Sequence, residues 1–114
     1  MEKEEKKDVN VSIIHLKGKM AGISEAEELH HEVNSLFEKK IKHIVLNMQH
    51  VSWIGSLYLG ALMREIISAR KKNGDVYLAS LSKKVQRLFQ ITKLETVVKI
   101  YPTIDEAVSA FQNN

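Results

Sequence analysis

Apolar and polar positions switch between two periods along the chain. Val9-Asn10-Val11-Ser12-Ile13-Ile14-His15-Leu16 mixes alternation with a short apolar run and stops at Gly18, which predicts a strand half buried against a core. Residues 1–8 ahead of it read as a frayed or edge segment. From Ser24 the period lengthens. Ala26, Leu29, Val33, Leu36 and Phe37 recur at helical spacing to about Lys40, with Glu28, His31, Glu32, Glu38 and Lys39 mainly on the other side. Ser24-Glu25-Ala26-Glu27 has the form of a capping box, and His30 and His31 read as exposed helix positions.

Ile44-Val45-Leu46-Asn47-Met48 is a nearly unbroken apolar run, the pattern of a strand covered on both faces. After a connection over Gln49–Gly55, a helix starting near Ser56 carries the stripe Leu59, Leu62, Met63, Ile66 and Ile67. Arg70-Lys71-Lys72-Asn73-Gly74 gives it a cationic last turn and a glycine stop. Val76–Ala79 predicts a further strand, and Ser82 caps a helix whose Val85, Leu88, Phe89 and Thr92 share a face. Val97–Ile100 reads as the last strand. Thr103-Ile104-Asp105-Glu106 is a second capping box after Pro102, opening a helix with Ala107, Val108 and Phe111 on one side. Alternation of this kind predicts the α/β class: one domain over residues 1–114, with a mostly parallel four- to five-stranded sheet and about four helices packed against it.

Composition narrows the chemistry. With 114 residues, 44% of them hydrophobic and 27% charged, the chain has room for one core and no reason to be disordered. The absence of cysteine removes disulfides, zinc-thiolate sites and thiol nucleophiles, and fits a reducing, cytoplasmic setting. The longest strongly apolar stretch, Ile54–Met63, is far short of the ~20 residues that span a bilayer, so no membrane partner is expected. MEKEEKKD at the amino terminus lacks the apolar core of a secretory signal. A formal charge of +3 says little about partners.

In open α/β sheets the sites lie at the carboxyl ends of the strands, here residues 17–24, 49–56, 80–82 and 101–103. These segments hold no GxGxxG, P-loop, HExxH or GxSxG motif, so neither a cofactor, an enzyme nor a catalytic residue is expected. The five histidines, His15, His30, His31, His43 and His50, form no i, i+4 pair with a carboxylate on the same face, so no metal site is expected. The basic clusters Lys39-Lys40-Lys42 and Arg70-Lys71-Lys72 complement helix carboxyl ends. Lys83-Lys84-Arg87 sits unfavourably at a helix start, but without interleaved aromatics it is poor evidence for direct nucleic-acid binding.

Ser56 falls at the first turn of a helix, behind a glycine. There it serves either as an N-cap or as a phosphate acceptor, because a helix amino terminus offers free N–H groups and a positive dipole end. Leu57 and Tyr58 lie off the apolar stripe, which places them toward the surface as a contact pair; Trp53 either packs beneath the loop or stands out as an anchor.

The segment Ile44–Leu62, IVLNMQHVSWIGSLYLGAL, resembles the signature of the STAS domain family of bacterial anti-sigma factor antagonists, in which a strand ending in Asp or Asn leads to a DSSGLG-like turn opening a helix. Leu16-Lys17-Gly18, Asn73-Gly74 and Val85-Gln86-Arg87-Leu88-Phe89 extend the likeness over nearly the whole chain. By this resemblance Ser56 falls on the phosphate-accepting serine and Gly60 on the second glycine, whereas Gly55 replaces Asp, Leu57 a second small residue, and Tyr58 the first glycine. The resemblance implies a partner that is an anti-sigma factor with serine kinase activity, met by Met20, Gly22, Ile23, Trp53, Gly55, Ser56, Leu57 and Tyr58, and released when Ser56 is phosphorylated. Two alternatives are a ligand-sensing module that weakly binds a nucleotide or apolar small molecule near Gly22, Ser56 and Tyr58, and a scaffold subunit indifferent to Ser56.

Overall fold

The computed structural model describes residues 2–6 and 10–113. Five strands line up in chain order: β1 (Glu2–Lys6), β2 (Val11–Met20), β3 (His43–Ile54), β4 (Asp75–Ala79) and β5 (Ile100–Tyr101). β1 runs antiparallel to β2, and the remaining pairs are parallel. Four helices connect or follow them: α1 (Ile23–Glu38), α2 (Ser56–Lys71), α3 (Lys83–Ile91) and α4 (Ile104–Gln112). The expected class and helix number are therefore found, and the amino-terminal segment is an edge strand over Glu2–Lys6. The expected strand start at Val9 lies outside the described residues.

The pleat of β3 divides the core. Ile44, Leu46 and Met48 face α1, α2 and α3, while Val45 faces Tyr77, Ala107 and Phe111 on the side covered by α4. All four β3 side chains are fully buried, as the unbroken run requires. Under α4, the Phe111 ring stacks on Tyr77 at 3.8 Å and lies 4.8 Å from the His43 ring.

Both central strands outrun their expected ends. β2 passes through Gly18, whose φ of +93° is absorbed at an irregular register with β3, so the glycine marks a bulge rather than a stop. β3 continues to Ile54, which turns most of the expected Gln49–Gly55 loop into strand. β5 is shorter than expected. A 3-10 turn at Leu94–Thr96 takes the Val97 and Val98 amides onto the Leu94 carbonyl, at 3.0 and 2.9 Å, and so withholds them from the sheet.

Helix ends follow side-chain chemistry in part. Ser82 Oγ accepts from the Val85 N–H at 3.2 Å and Thr103 Oγ1 from the Glu106 N–H at 3.1 Å, both as expected. The Ser24–Glu27 box does not form. α1 begins one residue before Ser24, with Gly22 as its N-cap, and the Gly22 N–H donates to Glu25 Oε1 at 2.6 Å. At the other end of α2 the left-handed residue is Asn73, and Gly74 is needed for space: a Cβ there would strike the Lys42 carbonyl.

His43 lies half-buried against Phe111, and burial lowers its pKa from 6.5, helped by Lys42 and opposed by Asp75. Folding thus favours the neutral imidazole. Its contribution to stability is complete above the unfolded value and is lost as pH falls through the depressed one. From about pH 7.5 to pH 5 the native chain should therefore lose more stability than the His43→Phe variant, measured by urea midpoints. Equal losses would show that His43 carries none of the pH dependence.

Candidate functional site

The carboxyl ends of β2 and β3 are tied together by one backbone bond, the Gly55 N–H donating to the Met20 carbonyl at 2.9 Å. The turns that open α1 and α2 are thereby held side by side. Gly55 is the N-cap of α2 in extended geometry, and its carbonyl receives the Leu59 N–H at 2.9 Å. The amides of Ser56, Leu57 and Tyr58 come before that first helical bond and have no acceptor within the helix. A helix start of this kind presents N–H groups and a positive dipole end outward.

Ser56 is the first residue inside α2 and not its cap. Its hydroxyl is exposed and makes no hydrogen bond among the described residues, so the capping explanation for this serine does not apply. Gly60, one turn on, is exposed with nothing within 4 Å of where a Cβ would sit. Ile23, Trp53 and Leu57 flank this region with 64%, 45% and 48% of their surface exposed. These are large apolar side chains left in solvent at one end of the sheet.

Three of the expected contact residues are placed elsewhere. Tyr58 is fully buried, a correction to its expected surface position: packing of α1 against α2 turns the buried face of α2 toward Tyr58, Ala61, Leu62, Glu65, Ile66 and Ala69 and leaves Ile67 47% exposed. Met20 is core. Gly55 is buried between the Ala21 backbone, 3.4 Å from a Cβ built on it, and the Trp53 ring, 3.0 Å away. Gly22 is half-buried beneath the Glu25 carboxylate. Trp53 thus combines both sequence readings, lying against the loop while nearly half of it stays in solvent.

Sequence patterning missed the electrostatics beneath this surface. Glu65 is buried on α2 with His30 Nδ1 at 3.1 Å from Oε2, so His30 is exposed but not idle. The Tyr58 hydroxyl is buried with no hydrogen-bond partner among the described residues. Burial pushes its pKa far above the ordinary phenol value, with Glu28, Glu25 and Glu65 adding to the rise. Glu25, held by Ser24 Oγ at 2.8 Å and by the Gly22 N–H, has its carboxyl lowered below the usual range, with the Ser24 bond the main cause. An i, i+7 spacing from Tyr58 to Glu65 was the available signal, but a tyrosine and a glutamate on one helix face carry no apolar signature.

The sequence profile of the STAS domain matches residues 1–107, and the chain belongs to that family. A relative from Thermotoga neapolitana, provisionally named an anti-sigma factor antagonist and homologue of TM1081, is 33% identical over 79 residues, 69% of this chain and 70% of its own. The crystal structure of TM1081 from Thermotoga maritima, provisionally titled an anti-sigma factor antagonist, is 28% identical and superposes with a TM-score of 0.85 over 97% of this chain and 93% of that one. The anti-sigma factor antagonist SpoIIAA in its unphosphorylated form shares the fold at 18% identity, with a TM-score of 0.82 over 99% and 96% of the chains. A structure of SpoIIAA from Bacillus in the phosphorylated form superposes at 0.73 over 96% of each chain. No helix among the described residues is long and apolar enough to cross a membrane.

Two outcomes test this geometry. Tyr58→Phe removes a buried hydroxyl that has no partner and should stabilise the fold by about 1 kcal/mol, measured by thermal or urea unfolding; a loss would reveal a partner for the hydroxyl. Gly55→Asp should displace the Trp53 ring and change the emission of this single tryptophan, while unchanged emission would show that the turn takes a side chain without moving it.

Proposed function

We propose that this chain is an anti-sigma factor antagonist that binds an anti-sigma factor with serine kinase activity and is released from it by phosphorylation of Ser56. The carrying observation is the free, exposed hydroxyl of Ser56 at the start of α2, spared from capping because Gly55 holds that position. The STAS family assignment and the names of the Thermotoga relatives support the partner class. SpoIIAA, which shares the fold, is known in both unphosphorylated and phosphorylated forms, in keeping with a phosphate held on this scaffold.

The contact surface consists of Ser56 with Ile23, Trp53 and Leu57, and the bare backbone at Gly60 leaves room for close approach. A glycine inside an exposed helix costs about 0.5–1 kcal/mol relative to alanine, which is an expense without return unless something packs against it. Phosphate on Ser56 would meet the unpaired amides of the first turn, so the fold tolerates it. It would also place about −1.5 to −2 charges amid apolar contacts, where desolvation and repulsion oppose binding. The ligand-sensing alternative loses Tyr58 as a contact, because that side chain is enclosed.

Wild-type, Ser56→Ala and Ser56→Asp chains used as baits in extract of the native organism should separate the readings. Wild type and Ser56→Ala should retain a kinase-like anti-sigma factor, Ser56→Asp should bind it at least about tenfold more weakly, and mass spectrometry should find phosphate on Ser56. Phosphate confined to another serine, or equal retention by all three baits, would overturn the proposal.

A further inference from the structure

Beside the Ser56 turn, α3 packs against the end of β3 and leaves a groove of about 200 Å³. Its walls are apolar, formed by Trp53, Val85, Leu88 and Ile91, and Lys84 and Arg87 stand along it. Ile91 is 70% exposed and Trp53 45%, so two large apolar side chains face solvent across the opening. A cavity of ~150 Å³ accommodates a benzene ring, whereas pockets for drug-sized ligands run from about 300 Å³ upward. The groove therefore suits one large side chain more than a free small molecule.

The charge around it has one sign. α3, with sequence KKVQRLFQI, contains no carboxylate, and Lys83, Lys84 and Arg87 are exposed and form no ion pair among the described residues. Lys83 and Lys84 also occupy the first turn of the helix, against the macrodipole, so they do nothing for α3 itself. By contrast Arg70 is bonded to Asp75 at 3.1 Å and to the Val97 carbonyl at 2.6 Å. Unpaired cations beside an unfilled apolar slot are complementary to an acidic segment carrying an apolar anchor.

We infer that the Trp53–α3 groove is a docking site for an acidic amphipathic segment of a partner protein, which seats one large apolar side chain between Trp53 and Ile91 and sets carboxylates against Lys84 and Arg87. The surface shares Trp53 with the one assigned to Ser56, but its other walls and its cations belong to α3, and it does not depend on phosphorylation. It binds in the unmodified chain, and its occupancy is read separately.

Trp53 is the only tryptophan, so its emission reports the groove directly. Short random peptides would be selected on the full-length chain and the enriched sequences titrated while emission is followed. The expected result is enrichment in Asp and Glu together with Leu, Phe or Trp, a blue shift on binding, and weakening with added salt. The Lys84→Glu/Arg87→Glu variant and, separately, Ile91→Asp should each weaken binding at least about tenfold, with circular dichroism showing both folded. No enrichment, enrichment without acidic bias, equal binding by the variants, or peptides that leave Trp53 emission unchanged would overturn the inference. So would a response to phosphatidylglycerol vesicles alone, which would make the occupant a membrane. Peptide binding that persists in Ser56→Asp would show that the groove acts apart from the phosphate switch; loss of peptide binding in the groove variants with the Ser56 effect intact separates the two in the other direction.

Discussion

The Gly55 N–H bond to the Met20 carbonyl is the constraint on which the site depends. It joins the ends of two parallel strands that α1 separates in sequence, and so fixes the starts of α1 and α2 relative to each other. For this bond to form, β2 must reach Met20 and β3 must reach Ile54, and the irregular register at Gly18 lets the two strands finish level. The same close approach leaves no free volume at Gly55. Trp53 fills that side of the turn and, through its exposed edge, also forms a wall of the groove against α3.

Charge is distributed unevenly around this platform. α1 contributes Glu25 and Glu28, and α2 the buried Glu65, all raising the Tyr58 phenol, while α3 contributes Lys83, Lys84 and Arg87 and no carboxylate. In the proposed switch, a negative charge added at Ser56 would change the balance beside the exposed Ile23, Trp53 and Leu57, and would oppose binding there without a change of fold. Glu25 has a further part in this arrangement. It accepts from the Gly22 N–H, and because Gly22 has no side chain to accept from the Glu25 N–H only this half of the box is made, so a carboxylate anchors the α1 start where the sequence suggested the Ser24 hydroxyl together with Glu27.

Class, element order and most of the core were legible because they follow from local periodicity. A run such as Ile44–Met48 can only be stable if both faces are covered, and Leu29, Val33 and Leu36 can only be buried together if the chain is helical there. The Ser82 and Thr103 caps were legible for the same reason, since donor and acceptor lie three residues apart. The position of Ser56 at a helix start was also in the sequence, through its glycine and the apolar stripe that follows.

What the tertiary structure alone decided depends on contacts between segments far apart in the chain. The orientation of α2 was set by α1 packing on it, which buried Tyr58 and Glu65 and exposed Ile67 against the local pattern. The lengths of β2 and β3 were set by their mutual pairing, and the brevity of β5 by a turn that captured its amides. Whether Ser56 caps α2 or stays free turned on a single residue of helix start, and the backbone bond from Gly55 to Met20 fixed it. Periodicity reports what a segment needs to bury, whereas only the assembled fold determines which neighbour buries it and which polar group is left in reach of a partner.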